Sequence, residues 1–203
     1  MSQQTQGAAP PSSARELRSP AALALADLAA IFDDLQFVLR CCERLITELE
    51  RDSASSEQDD LVIESLWVAA LTSYARCFRP GERGMGLAVT DLSATGLKGD
   101  VVEWHSLLGK LRNFYVDSNA NPRELFSVGV SQSDSGTADG IVITSIVQPQ
   151  VDETTVRQTG RLAFELSRLV DDRIKTQQKT VFTAAQALSP DNLNELPPIA
   201  VST

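Results

Sequence analysis

From about Ala21 the apolar positions fall into a helical rhythm. Leu28, Leu35, Cys42 and Leu49 recur every seven residues, interleaved with Ile31/Phe32, Val38/Leu39 and Leu45/Ile46. This spacing keeps one side of a long amphipathic helix apolar. The polar stretch from Ser53 to Ser56 interrupts it, and Ser55 with Gln58 has the spacing of a capping box for a second helix. That helix carries Ile63, Leu66, Trp67, Ala70, Tyr74, Cys77 and Phe78 on one side and stops at Pro80-Gly81. It should pack antiparallel to the first.

Residues 80 to 99 are rich in glycine and predict a loop with one short helical turn near Leu87 to Leu92. A third helix follows with Val101, Trp104, Leu108, Leu111 and Tyr115. Beyond Pro122 the period changes to that of strands. Leu125 to Val130 and Gly140 to Val147 are rich in β-branched residues and predict a β-hairpin, joined by a long polar loop over 131 to 139. Asp152 then has the position of a helix cap, and Leu162, Leu166, Leu169/Val170 and Ile174 mark a last long helix reaching about Ala187.

The fold class expected is mainly α: an antiparallel bundle of four to five helices with one β-hairpin insertion, over 124–148, and flexible termini. Residues 1–19, rich in Gln, Ser, Ala and Pro, are expected to form a disordered tail. Residues 20–188 make one domain, and 189–203, with Ser189-Pro190 and Pro197-Pro198, a loosely ordered tail. A chain of 203 residues, 42% hydrophobic, suffices for one ordinary core.

Charge narrows the function. A formal net charge of -9 opposes a broad phosphate-binding surface, because affinity for nucleic acid rests on Lys and Arg displacing counterions. A local basic pocket is compatible with it. No segment approaches a bilayer span, and the amino terminus lacks the order of a secretory leader, so a cytoplasmic protein without membrane contact is expected. Three cysteines, Cys41, Cys42 and Cys77, with no CxxC pair, support neither a disulfide framework nor a zinc ribbon. Buried thiols are expected, with a redox role for the adjacent Cys41 and Cys42 as the alternative. One histidine and scattered carboxylates give no recognisable ligand set, so neither a metal nor a cofactor is expected.

The candidate chemistry lies on the third helix. His105 and Arg112 are seven positions apart, which places them within about 20° of each other around a helix axis. Arg76, Arg79 and Arg83 cluster after the second helix and, together with Arg112, are candidates to line a phosphate-sized pocket. The plainer reading is a solvated helix end, where cations are favoured by the dipole. Trp67, Trp104 and Tyr74 could stack on bases, but their helical spacing favours the core.

The stretch from Arg112-Asn113 to Asp117-Ser118 resembles the motif of HEPN-type helical domains, many of which are metal-independent ribonucleases. In that motif an arginine, a polar residue and four further residues precede a histidine. Here Ser118 stands in the histidine's place. The segments from Ser65 to Phe78 and from His105 to Asn113, followed by Asn121-Pro122 and a hairpin, are similar to an uncharacterised bacterial or phage branch of that family. The resemblance implies a homodimer whose cleft joins two motifs, with arginine on the scissile phosphate and histidine helping a 2′-hydroxyl attack it. Ser118 cannot do that work, since an unactivated hydroxyl hardly ionises at pH 7, and a turn or cap suits it better.

The expected function is therefore a non-catalytic HEPN-like binding or regulatory protein, a pseudoenzyme of a bacterial or phage conflict system such as phage defence or toxin-antitoxin regulation. Arg112 and His105 are its candidate catalytic pair, and Arg76, Arg79, Arg83, Asn113 and Ser118 its candidate binding residues. Asn113 is expected to cap the helix or to cross the dimer interface. The alternatives are a metal-independent endoribonuclease using Arg112 with His105, and a structural module binding a protein partner through the polar loop or the Pro-rich ends. A homodimer is the expected assembly, with a protein partner or RNA as ligand.

Overall fold

The computed structural model describes residues 14–51, 59–79, 81, 83–119, 121–147 and 150–200. The chain is mainly helical. Its elements run β1 (Ala14–Arg15), α1 (Pro20–Leu49), α2 (Asp60–Cys77), α3 (Val89–Ala94), α4 (Val101–Val116), β2 (Glu124–Gln132), β3 (Ala138–Val147), α5 (Glu153–Gln186), α6 (Pro190–Glu195) and β4 (Pro198–Ile199).

Each long helix begins where a side-chain oxygen can take up an otherwise unpaired amide. Ser19 accepts from Ala22 at the start of α1, Asp59 from Val62 at α2, Asp100 from Glu103 at α4 and Asp152 from Thr155 at α5. The cap of α2 is thus Asp59, while the capping box expected at Ser55 and Gln58 lies outside the described residues. The same is true of Pro80, expected to end α2, and of residues 1–13.

The core forms where α1 meets α5 and α2. Leu35, Val38 and Leu45 of α1 are fully enclosed with Trp67, Leu71 and Tyr74 of α2 and Val156, Leu162, Leu166 and Val170 of α5. Alternation of direction follows from cross-links along the helices. The thiol of Cys77, at the end of α2, points to the Ile31 carbonyl in the first half of α1. Arg157 near the start of α5 pairs with Glu50 just past α1 at 2.7 Å, and Gln177 donates to the Ala21 carbonyl at 2.9 Å. α2 and α5 therefore both run antiparallel to α1. Gly160 lets the axes of α1 and α5 close in: a Cβ there would meet the Cys42 Cβ at 3.4 Å. All three thiols are buried, and burial pushes those of Cys42 and Cys77 up to about 12. Burial raises the Cys41 thiol as well, so all three favour the protonated form.

Among the long helices α4 lies mainly against α2. Only Leu108 of α4 is fully buried, so this helix rides on the bundle's flank. α3, the short turn expected near Leu87 to Leu92, falls at Val89–Ala94. There Asp91 accepts from the Ala88 amide at 2.8 Å and pairs with Arg173 of α5. Burial opposes ionisation of Asp91, but these donors hold its carboxyl below its usual range.

The hairpin is longer than its apolar runs. β2 and β3 pair antiparallel from Glu124↔Val147 to Gln132↔Ala138, so both ends of the polar stretch expected as loop belong to the ladder. Only Ser133 to Thr137 turn, with Gly136 at φ 78°. Ser131 donates to Asp139 Oδ1 across the ladder at 2.6 Å, so polar residues extend the strands and polarity did not mark their ends. The chain ends also meet: Ala14 and Arg15 pair with Ile199 and Pro198, and Arg15 donates to the Leu196 carbonyl at 2.9 Å. Among the described residues no helix is long and apolar enough to cross a membrane.

Candidate functional site

The end of α2, the middle of α4 and the segment leading into α3 come together around one space. The result is a cleft of about 380 Å³. Tyr74, Phe78 and Arg79 line it from α2 and its end, His105, Arg112 and Asn113 from α4, and Leu87 and Val89 from the third side. The seven-residue spacing of His105 and Arg112 thus brings both to one cavity. Arg79 and Asn113 join them. Arg76, Arg83 and Ser118 do not.

Asp34 accounts for two of these absences. It sits on the buried stripe of α1, between Ile31 and Leu35, and takes Arg76 at 2.6 Å and Arg83 at 2.7 Å on its two carboxylate oxygens. A buried carboxylate requires such partners, because leaving it unpaired in the core would cost several kcal/mol. The two guanidinium groups are thereby committed to structure. An acidic residue on an apolar stripe was the available signal, but its partners lie 42 and 49 positions away.

Ser118 is exposed in the turn after α4. The turn is held by Asp117, whose carboxylate accepts the Asn119 amide at 2.9 Å.

Within the cleft, Tyr74 determines the state of His105. The Tyr74 hydroxyl is 2.9 Å from His105 Nδ1, and the Phe78 ring lies with its centroid 4.3 Å from that of the imidazole. Tyr74 is almost wholly buried, and burial raises its pKa, so it keeps its proton. Among the described residues this proton has one acceptor, Nδ1. Donation by the hydroxyl to Nδ1 pairs this proton, and with it the ring's own hydrogen is assigned to Nε2. Burial also lowers the His105 pKa below 6.5, so the ring is neutral at pH 7. In this tautomer His105 offers a ligand a donor, while its lone pair is already engaged.

Arg112 is partly buried. Its Nη1 donates to Asn113 Oδ1 at 2.9 Å, which orients the amide; among the described residues the Asn113 Nδ2 hydrogens have no acceptor. Arg112 Nε is enclosed and has no partner among the described residues. Among the described residues no acidic side chain lines the cleft. A chain with net charge -9 thus holds a cavity walled by two guanidinium groups, an amide, an imidazole N–H and apolar surface. Chemically this suits an anion with several acceptor oxygens, such as a phosphate or carboxylate.

Trp67 is buried in the core, and Trp104 is half-buried on α4 outside the cleft. Among the described residues no three His, Cys, Asp or Glu side chains gather at one point. No known protein family, curated protein or solved structure matches the chain.

Proposed function

We propose that the chain is a catalytically degenerate HEPN-like helical protein that acts by binding, in a bacterial or phage conflict or regulatory system. Its ligand is the phosphate of RNA or of a nucleotide, taken into the cleft between α2 and α4. As in the family it resembles, two copies pair through their long helices. The observation that carries this reading is the one-sided hydrogen bonding of the cleft. Arg79, Arg112, Asn113 and the His105 Nε2–H are all donors, and the one basic nitrogen of His105 is occupied by Tyr74.

Such a cleft can hold a phosphate but cannot take the proton of an attacking 2′-hydroxyl. General-base work requires a free lone pair within reach of that proton. Ser118, exposed and outside the cleft, supplies none. Asp117 is occupied in its turn.

One observation favours a second reading, that of a metal-independent endoribonuclease: His105 and Arg112 line the same cavity. A shift of the Tyr74 bond to the other tautomer would free Nε2 as a base. Incubating purified protein with labelled single-stranded RNA separates the two. Binding reads RNA of unchanged length, with retention weakened about tenfold or more in Arg112→Ala. Reproducible cleavage that disappears in Arg112→Ala and His105→Ala would establish the nuclease instead.

A further inference from the structure

The hairpin β2–β3 stands away from the bundle, for neither strand packs extensively on any helix. Its pairing places Val128 opposite Ile143 and Val130 opposite Ile141, with Phe126 beside Ser145 on the same face. Residues paired across an antiparallel ladder share a face, so Phe126, Val128, Val130, Ile141 and Ile143 form one continuous apolar surface. It is open: Val128 is 72% exposed, Ile141 71% and Ile143 68%. Soluble monomers rarely leave so large a contiguous apolar patch uncovered. A lone two-stranded hairpin is moreover marginal in water without a further layer on its apolar face.

We infer that this face is covered by the same face of a second copy, the two hairpins packing sheet on sheet about a twofold axis. Three features favour a second copy over another occupant. The first is area. The five side chains present on the order of 600 Å² in one copy, hence about 1,200 Å² for two, which reaches the lower limit for a stable specific interface. The second is charge. The five side chains carry none, so the face offers nothing to a charged ligand. It also lets two chains of net charge -9 meet through uncharged side chains. The third is shape. A row of β-branched side chains on one regular ladder is complementary to its own rotated copy, and aligned sheets pack in this way about 10 Å apart.

This contact is separate from the cleft and from any pairing of the long helices. Sedimentation velocity on the full chain over 5 to 200 µM tests it, comparing wild type with Val128→Asp/Ile143→Asp. The wild type is expected to associate, and the double variant to drop by one twofold step in mass, with unchanged helical circular dichroism and unchanged anion binding in the cleft. Ser145→Cys adds a second measurement. The three native thiols are buried, so the new one is the accessible site, and a short bismaleimide should link two copies covalently. A wild type that remains monomeric throughout, a mass profile unaffected by the double substitution, or no cross-link at position 145 would overturn the inference. If anion binding fails while the mass step holds, the cleft reading alone is lost.

Discussion

The bond between Tyr74 and His105 joins a core residue to the candidate site, so its consequences are visible in titration. His105 is the chain's one histidine, and its ring C–H signals can be followed by NMR without assignment ambiguity. Its midpoint is expected below 6.5. Tyr74→Phe removes the donor that stabilises the neutral ring, so the midpoint should rise, with stability falling by about 1 kcal/mol. The sign of the pH effect follows from linkage. Below pH 6.5 the unfolded chain binds a proton at this ring before the folded chain does. Stability from the neutral ring is therefore complete above that range and declines as pH falls through it. An invariant midpoint in Tyr74→Phe, or one above 6.5 in the wild type, would mean that the ring is not held as described. The stripe shared by His105 and Arg112 was legible from their spacing alone. Tyr74 as the histidine's partner was not, because its place on the apolar stripe of α2 marks it only as core.

At the scale of elements, the arrangement of basic residues depends on Asp34. It draws Arg76 and Arg83 away from the cleft and fixes the end of α2 and the following loop against α1. Asp34→Ala would leave Arg83 partly buried without its carboxylate. We expect a loss of about 2 to 3 kcal/mol in urea unfolding, below the full value for a buried pair because Arg76 is largely exposed. A change within 0.5 kcal/mol would contradict the pairing. The long helices themselves were readable from the sequence, since each carries a sustained apolar stripe and most carry a polar cap at the right position. Asp152 is the clearest case. What the sequence obscured has particular causes. The basic cluster Arg76, Arg79 and Arg83 looks uniform along the chain, and only a tertiary contact with Asp34 divides it. The pairing of Ala14–Arg15 with Pro198–Ile199 is two residues long and bridges opposite ends of the chain, too short for any periodic signal.

For the whole molecule, the division is between a packed helical body and two outlying features, the cleft on its flank and the projecting hairpin. Because β2 and β3 contribute little to the core, replacing residues 125–146 by a short Gly-Ser turn should leave helical content intact. The thermal midpoint should move by no more than about 3 °C at a protein concentration low enough to suppress association. A cooperative loss of helix would show that the hairpin is an integral part of the body. The central claim concerns the cleft: it accepts an anion through Arg112 beside a histidine that is already hydrogen-bonded. The most direct measurement is an NMR titration of the His105 ring signals with inorganic phosphate, in wild type and in Arg112→Ala. The account predicts a saturable shift in the wild type that is lost or weakened about tenfold or more in the variant. Ring signals that do not move with phosphate, or that move equally in both proteins, would contradict it.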